Sequence, residues 1–166
     1  GGKRWKYPVP GESVIQMIHR VIIDVDAKKV MRLKMAPDDH RAMLGDNISM
    51  ADFIWSPDGS KLALVSTPRD HKSATLRLAD AATGEVRTVF EEKEKTHFES
   101  RAGFRVLWAS NEVVWYWQRD DWGQLYLYDL TTGQLKNKIT TGEGPVATIT
   151  KIDENERKST RMNSDH

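Results

Sequence analysis

The chain has 166 residues, enough for one domain that buries roughly two-thirds of its unfolded surface. Lys and Arg number 25 against 24 Asp and Glu, so the formal charge of +1 provides no long-range field to gather nucleic acid or an anionic membrane. There is no cysteine, which excludes a disulfide, a thiolate nucleophile and cysteine-ligated zinc. Aliphatic runs such as Val21 to Ile23 are too short to cross a bilayer, and the sequence predicts no membrane span in this segment.

Strand-like runs of four to eight residues follow one another along the chain, separated by turn residues. Residues Ile23 to Val30 form the first unit of a repeated pattern, which consists of a strand, a turn and a second strand. The same pattern returns at Ala79 to Val86 and at Tyr128 to Leu135, where the turn is Thr-Gly. The last two superimpose at an offset of 49 residues and the first two at 56, with Lys28 in the place of the glycine.

A tryptophan-led hairpin precedes the second and third copies, at Trp55 to Leu64 and at Trp108 to Trp115, with an offset of 53 between the tryptophans. In the first of these hairpins Asp58 and Gly59 supply the positive φ of a tight turn, and Pro57 presets the preceding position. Each hairpin is therefore predicted to join two strands.

A period near 50 residues with about four strands per unit is typical of β-propeller blades. We predict an all-β fold, a partial β-propeller of about three four-stranded antiparallel blades, with residues 1–153 as its domain. A propeller ring needs at least about four blades, so three indicate a fragment of a larger domain. A complete β-sandwich would also show many short strands, but it does not predict the 50-residue repeat.

The C-terminal residues 154–166 are predicted to be a disordered or artefactual tail. From Arg157 to His166 the alternating strand pattern is lost, and the segment resembles the translated read-through of a sequencing adapter. The beginning, Gly1 and Gly2, enters directly into what reads as the middle of a domain. We expect a further segment to precede it.

The third predicted blade carries a longer motif. Arg119 to Asp129, RDDWGQLYLYD, resembles the RDGWGHLYLYD segment of the dipeptidyl peptidase IV N-terminal family, of the prolyl oligopeptidase-type serine peptidases. Lys6 to Glu12 resembles the family's YPxPG stretch, and Ile139 to Val146 its ITxGxxxV stretch. The resemblance covers about residues 6 to 153.

This chain departs from the family pattern at four positions. Trp117 and Gln118 replace the usual Ser and Glu, while Asp121 and Gln124 replace Gly and His. These changes bear on contacts at the blade edge and leave the family assignment intact.

The resemblance implies a parent serine exopeptidase that removes dipeptides from peptide N-termini. Its propeller restricts access and orients the peptide substrate for a C-terminal α/β-hydrolase domain, the expected partner of this segment. The fragment itself is predicted to be non-catalytic, because no Gly-x-Ser-x-Gly nucleophile elbow occurs in the sequence. The family also implies a periplasmic or secreted location and is compatible with a homodimer of the parent. The alternative is a non-enzymatic interaction scaffold of the TolB or WD-repeat type.

No catalytic residue is predicted, and the remaining candidate for substrate binding is Arg105, in the loop region entering the Trp108 strand. Local stacking or pairing is the competing interpretation for this arginine. Glu91 and Glu92 resemble the family's glutamate pair in composition, but that pair lies upstream of the YPxPG stretch. We therefore interpret these glutamates as a solvated loop between blades.

Neither a metal nor another cofactor is predicted. The acidic pairs at 38–39 and 120–121 lack the spacing of a calcium loop, no zinc-ligand pattern occurs, and Gly142 to Gly144 lacks the following Lys and Ser or Thr of a phosphate loop. The histidines are isolated from one another, and we expect solvated or turn positions for them: His19, His40, His71, His97 and His166.

Overall fold

The computed structural model describes residues 17–39, 53–68, 72–94, 103–120, 122–140, 146–153 and 158–163. These ranges contain antiparallel strands and no helix, hence no helix that could cross a membrane. The predicted all-β fold built on four-stranded antiparallel sheets is confirmed.

The second blade is a complete four-stranded sheet. Its strands are β5 (Phe53–Trp55), β6 (Lys61–Ser66), β7 (Ser73–Asp80) and β8 (Val86–Lys93), each paired with the next in the chain. On β6, five consecutive residues after Lys61 are buried, which means that both faces of this strand are covered.

The third blade repeats this order with β9 (Phe104–Leu107), β10 (Glu112–Asp120), β11 (Trp122–Asp129) and β12 (Leu135–Lys138). The central part of β11 is buried on both faces, as the alternation of Leu and Tyr from Leu125 to Tyr128 predicts for a strand between two neighbouring layers. In contrast, β12 is exposed along its whole length, which marks it as the outer edge of the blade.

The first blade is represented by β2 (Val21–Asp24) and β3 (Lys29–Arg32), a two-stranded hairpin. Next to it, β1 (Met17–Ile18) pairs with β4 (Asp38–Asp39). The position of its turn shows that the β2–β3 hairpin corresponds to β7 and β8 of the second blade, the third and fourth strands of a blade unit.

Strand pairing corrects the predicted alignment of the two tryptophan-led hairpins. Lys61 pairs with Asp80 and Glu112 pairs with Asp129, so equivalent residues of β6 and β10 lie 51 positions apart instead of 53. Trp55 ends strand β5, whereas Trp108 lies in the turn after β9, and the residue equivalent to Trp55 is Val106. The predicted offset of 53 residues matches one tryptophan to the other, but the hydrogen-bonded ladder fixes the register of the strands.

The structure describes six residues of the predicted C-terminal tail. A strand β14 (Lys158–Asn163) pairs antiparallel with β13 (Val146–Asp153), starting from Asp153 opposite Lys158. The sequence failed to signal this strand because Lys158 to Asn163 has no apolar alternation. Backbone ladder bonds require no particular side chain, and pairing with β13 supplies them.

Two hydrophobic clusters hold the blades together. The larger cluster joins the second and third blades and reaches Ile149 on β13, and its most buried members come from β6, β7, β10 and β11. The smaller one joins the first and second blades and contains Leu33, Leu62, Leu64 and Ala79. The contacts between blades therefore differ greatly in extent.

Candidate functional site

The turn between the third and fourth strands of each blade is built in the same way. The Asp80 carboxylate accepts bonds from the amides of Ala82 and Thr83, at 2.8 and 3.1 Å. Asp129 does the same with the two threonine amides that follow it, at 2.9 and 2.7 Å. In the first blade Asp24 accepts from the amide of Ala27 at 2.8 Å.

Each of these turns closes on a residue with positive φ. Gly84 has φ of 74°, Gly133 of 71° and Lys28 of 52°. Lys28 does stand in the position of the glycines, and it carries the cost of a left-handed conformation for a residue with a Cβ.

The hydrogen bonds in these turns favour the charged carboxylates. Backbone amides lower the pKa of Asp80 and of Asp129, with the Thr83 and Thr132 amides as the largest contributions. In the Asp58 turn, bonds from the Ser60 amide and the Ser56 and Ser60 hydroxyls lower the pKa from 3.8 to about 2. This perturbation comes from local turn structure and does not mark a catalytic acid.

The seam between the second and third blades is formed by β8 and the Asp129 turn. Arg87 donates to the carbonyl oxygens of Leu130 and Thr131, at 2.8 and 3.2 Å. A Cβ on Gly133 would overlap the carbonyl oxygen of Val89, so only glycine lets the turn approach β8 this closely.

An aromatic group fills the same seam. Phe90 of β8 stacks on Tyr128 with ring centroids 4.1 Å apart and meets Trp115 edge to face at 4.9 Å. Trp115 in turn lies next to Trp117, at 6.3 Å. Such pairs contribute about 0.5 to 1.5 kcal/mol each beyond the apolar area that they bury.

Arg105 lies within strand β9, not in a loop as the sequence analysis placed it, because Arg105 pairs with Val114 in the β9–β10 ladder. Its guanidinium donates to the carbonyl oxygens of Phe104 at 2.8 Å and Ile149 at 3.2 Å. Arg105 therefore connects the third blade to β13.

Glu91 and Glu92 belong to β8 and do not form a loop. The β7–β8 ladder extends further than the charged sequence suggested, with Thr75 opposite Glu91 and Ala74 opposite Glu92. Glu91 is exposed and lies 3.7 Å from the Lys93 ammonium. Since neighbouring residues of a strand point to opposite faces, the two carboxylates are not directed at one ligand.

The other titratable candidates are separated in the part of the chain that the structure describes. Asp38 accepts from the Arg20 Nε at 2.7 Å, and His19 is exposed. No group of three potential metal-ligating side chains occurs among the described residues. Four histidines, at 40, 71, 97 and 166, together with Asp121, Gly142 to Gly144 and the Lys6 to Glu12 motif, lie outside the described residues.

Two departures from the family motif pack against each other. Trp117 and Gln124 are opposite one another in the β10–β11 ladder, and both are buried. Gln124 Oε1 accepts from the Thr140 hydroxyl, whose oxygen also accepts from the Leu125 amide at 3.0 Å. A Cβ at Gly123 would overlap the Tyr116 side chain, which would have to shift to admit it.

A pocket of about 400 Å³ opens between the first and second blades. One wall is formed by consecutive residues from His19 to Ile23, and the other by side chains of the second blade, including Phe53, Trp55 and Leu64. Beside it, Arg20 donates to the Val65 carbonyl at 3.1 Å. Sequence reasoning missed this pocket, Arg87 and Phe90, because none of them belongs to a recognisable motif.

Side-by-side four-stranded antiparallel sheets with a repeated seam define a β-propeller-type protein. The chain belongs to the family of dipeptidyl peptidase IV (DPP IV) N-terminal regions, whose family model matches residues 2–160. The resemblance seen in the third blade is thereby confirmed.

Solved structures support the fold. The chain is similar to a protein from Bacteroides ovatus provisionally assigned as a dipeptidyl aminopeptidase IV, with a TM-score of 0.66 and 20% identity over 89% of this chain. It is also similar to Porphyromonas gingivalis dipeptidyl peptidase 4, with a TM-score of 0.62 and 14% identity over 90% of this chain. The chain spans 22% of the first of these proteins and 20% of the second.

Proposed function

We propose that this segment is a non-catalytic part of the propeller of a serine exopeptidase that removes dipeptides from peptide N-termini. In this proposal it restricts access and orients the peptide for an α/β-hydrolase domain elsewhere in the parent chain. The family match over residues 2–160 is the observation that carries the proposal. The relatives' printed names, dipeptidyl aminopeptidase and dipeptidyl peptidase, support it.

The chemistry of the described residues is consistent with a positioning role. Arg87 and Arg105 are bound to backbone carbonyls of a neighbouring element. The carboxylates with lowered pKa values, such as Asp58, are occupied by turn amides and hydroxyls. These groups fix the geometry of the blades, and accurate positioning of a substrate contributes to catalysis without any bond chemistry in the positioning element.

The first test compares the 166-residue chain with a full-length parent on a chromogenic Gly-Pro substrate. We expect release by the parent and none by the chain, because acyl transfer needs a nucleophile, an oriented base and oxyanion donors. Activity of the chain alone would contradict the assignment of chemistry to another domain. An inactive parent would favour the interaction scaffold.

The second test addresses access. In the parent, Gly133→Ala should open the seam between the second and third blades, and Gly59→Ala is the matched control because nothing lies within 4 Å of its Cβ position. We expect the seam variant to raise kcat/KM for a long peptide relative to a dipeptidyl substrate. An unchanged ratio in a folded, active seam variant would argue against access restriction.

For Arg105 we propose a structural role, supported by its two carbonyl partners. In the parent, Arg105→Lys should lower the melting temperature while KM for the dipeptidyl substrate stays the same. A raised KM with an unchanged melting temperature would instead make Arg105 a substrate-binding residue.

A further inference from the structure

A buried arginine nitrogen lies on the face of the second blade that packs against the first blade. Arg77 is directly opposite Leu64 in the β6–β7 ladder, and opposite residues of an antiparallel pair point to the same side of the sheet. Leu64 belongs to the hydrophobic cluster that joins the two blades, so Arg77 faces the first seam. Its Nη1 is buried and has no hydrogen-bond partner among the described residues.

Ser66 lies next to this guanidinium. It follows Leu64 at the next alternate position of β6, so its side chain is on the same face, diagonal to Arg77 in the ladder. The residue is only 6% exposed, and its hydroxyl oxygen has no hydrogen-bond partner in the described part of the chain either. Two neighbouring polar groups are therefore buried with unused hydrogen-bonding capacity, although the great majority of buried polar groups in proteins are paired.

Carboxylates at the first seam are engaged by other cations. Asp38 forms its ion pair with Arg20, at 2.7 Å. Glu91 is on the same face of the sheet as Arg77, and its Oε1 lies 3.7 Å from the Lys93 ammonium. Because a buried charge without a counter-charge is strongly unfavourable, an anion beside the Nη1 of Arg77 would stabilise this seam.

The equivalent positions at the second seam are filled differently. In the ladders, Trp117 of β10 takes the position of Ser66, and Tyr126 of β11 takes the position of Arg77. Both aromatic residues are buried, with 1% and 3% exposure. At the first seam a small hydroxyl and a cation stand in place of two large rings, so a contact between aromatic side chains is replaced by a polar one.

This polar pair is accessible to a small solute. Arg77 as a whole keeps intermediate exposure, although its Nη1 is buried. The pocket of about 400 Å³ between the first two blades has Leu64 and Arg20 in its wall. Because Leu64 lies opposite Arg77, the pocket and the guanidinium are neighbours on one face of the sheet. A small molecule can therefore approach Arg77 without separation of the blades.

We propose that Ser66 and Arg77 bind a small oxyanion, of the carboxylate or phosphate type, at the seam between the first and second blades. The guanidinium supplies the positive charge and an N–H donor, and the Ser66 hydroxyl donates a second hydrogen bond to the ligand. Charge-assisted hydrogen bonds are stronger than neutral ones, and a guanidinium matches the geometry of carboxylate and phosphate oxygens. The ligand stabilises the contact between the blades. This inference does not depend on the proposed peptidase role.

The test measures the melting temperature of the 166-residue chain in sodium phosphate and in sodium acetate, with sodium chloride holding the ionic strength constant. We expect a saturable rise of about 5 °C at about 50 mM phosphate, because a ligand that binds only the folded chain stabilises it. Arg77→Met should abolish the rise. The matched control is Arg87→Met, which removes a guanidinium already bonded to carbonyl oxygens and should keep the full response.

Two further measurements separate binding from a purely structural role. Ser66→Ala should raise the half-saturating phosphate concentration about fivefold, because one of the two donors is lost. In chloride alone Arg77→Met should not lower the melting temperature, since it removes a buried charge without a partner. A lower value there would show that Arg77 is already paired and would count against the site.

Three outcomes of the titration would overturn the proposal. The first is the absence of any response to phosphate or acetate. The second is an equal rise in phosphate and in chloride, which would reduce the effect to screening. The third is a full response in Arg77→Met or an equal loss in Arg77→Met and Arg87→Met. A difference between acetate and phosphate would show which oxyanion the site prefers.

A binding measurement in the full-length parent keeps the inference testable if the chain unfolds irreversibly. Inorganic phosphate is titrated into the parent by isothermal calorimetry, after circular dichroism has shown that the variants are folded. We expect a saturable heat that Arg87→Met keeps and Arg77→Met loses. No heat in the unsubstituted parent, or the same heat in both variants, would contradict the oxyanion site.

Discussion

The two seams of this molecule join equivalent surfaces but are built to very different extents. Between the second and third blades, each of which has four strands, the seam contains an aromatic group, the hydrogen bonds of Arg87 and the Gly133 turn. Between the first and second blades, Leu33 packs on Leu62, Leu64 and Ala79, and a pocket stays open. The comparison teaches that burial at a seam depends on the inner strands of both neighbouring blades.

Backbone contacts at the first seam nevertheless resemble those at the second. Lys34 donates its amide to the Gly84 carbonyl at 2.9 Å, and its ammonium lies 2.5 Å from Glu85 Oε1. In both seams, therefore, the turn of one blade rests on the outer part of the preceding blade. Substitutions in the turns can separate their contribution to the free energy of unfolding from that of the apolar packing.

The largest effect is expected for Gly133→Ala. A Cβ at this position is both strained by the φ of 71° and in conflict with the Val89 carbonyl, so we expect a loss of about 3 kcal/mol or more. Gly59→Ala has a similar φ but open space around it, and should cost about 1 kcal/mol. Urea unfolding of both variants measures the difference, and similar losses would show that the seam approach is unimportant.

Arg87→Met removes the two hydrogen bonds from the guanidinium but keeps an apolar side chain of similar length. Because the two carbonyls at Leu130 and Thr131 lose a charged donor, we expect a loss of about 1 to 2 kcal/mol. At the first seam Lys34→Met breaks an ion pair whose side chains are 59% and 66% exposed, and should cost about 0.5 kcal/mol or less. Thermal or urea unfolding would contradict the comparison if Lys34→Met were the more damaging change.

Lys28→Gly should stabilise the first blade. The residue has φ of 52°, in a turn where the other blades use glycine, and relief of this strain is expected to add about 0.5 to 1 kcal/mol. Lys29→Gly, one residue later at the start of β3, should lower stability by about the same amount. A destabilised Lys28→Gly variant would mean that the side chain of Lys28 contributes more than its backbone costs.

The smallest expected effect is a dependence of stability on acid pH. The folded-state pKa of Asp58 is about 2 against 3.8 for the ordinary side chain, so its stabilising contribution is complete above about pH 4 and is lost as the pH falls toward 2. Asp80 and Asp129, whose pKa values are also lowered, act in the same direction. Melting temperatures of the chain and of Asp58→Asn between pH 2 and 5 should converge at low pH. Parallel curves would contradict this origin of the acid sensitivity.

Local sequence determined the turns and the repeat. Asp58 with Gly59, and Asp129 with Gly133, use short-range hydrogen bonds and positive φ, which depend only on the residues of the turn. Four-stranded blades follow from the regular spacing of those turns, and the third-blade motif was sufficient to identify the family. Lys28 could be matched to Gly84 and Gly133 because the residues around it follow the same strand–turn–strand pattern.

Tertiary structure decided the register of the strands and the hydrogen-bond partners of the side chains between blades. Trp108 lies in a turn, while Trp55 lies in a strand. Glu91 and Glu92 continue the β7–β8 ladder, although their charge predicts a loop. The ladder bonds and the packing of neighbouring strands override local propensity at these positions.

The partners that join the blades are also absent from any local pattern. Arg87 bonds to a carbonyl 43 residues away and Arg105 to one 44 residues away. The pocket is lined by residues of the first and second blades, and their separation in the sequence gives no sign that they meet. The sequence alone determines which hairpins form, because turn bonds are local. The way in which blades pack depends on where the sheets place distant surfaces, and only the tertiary structure decides that.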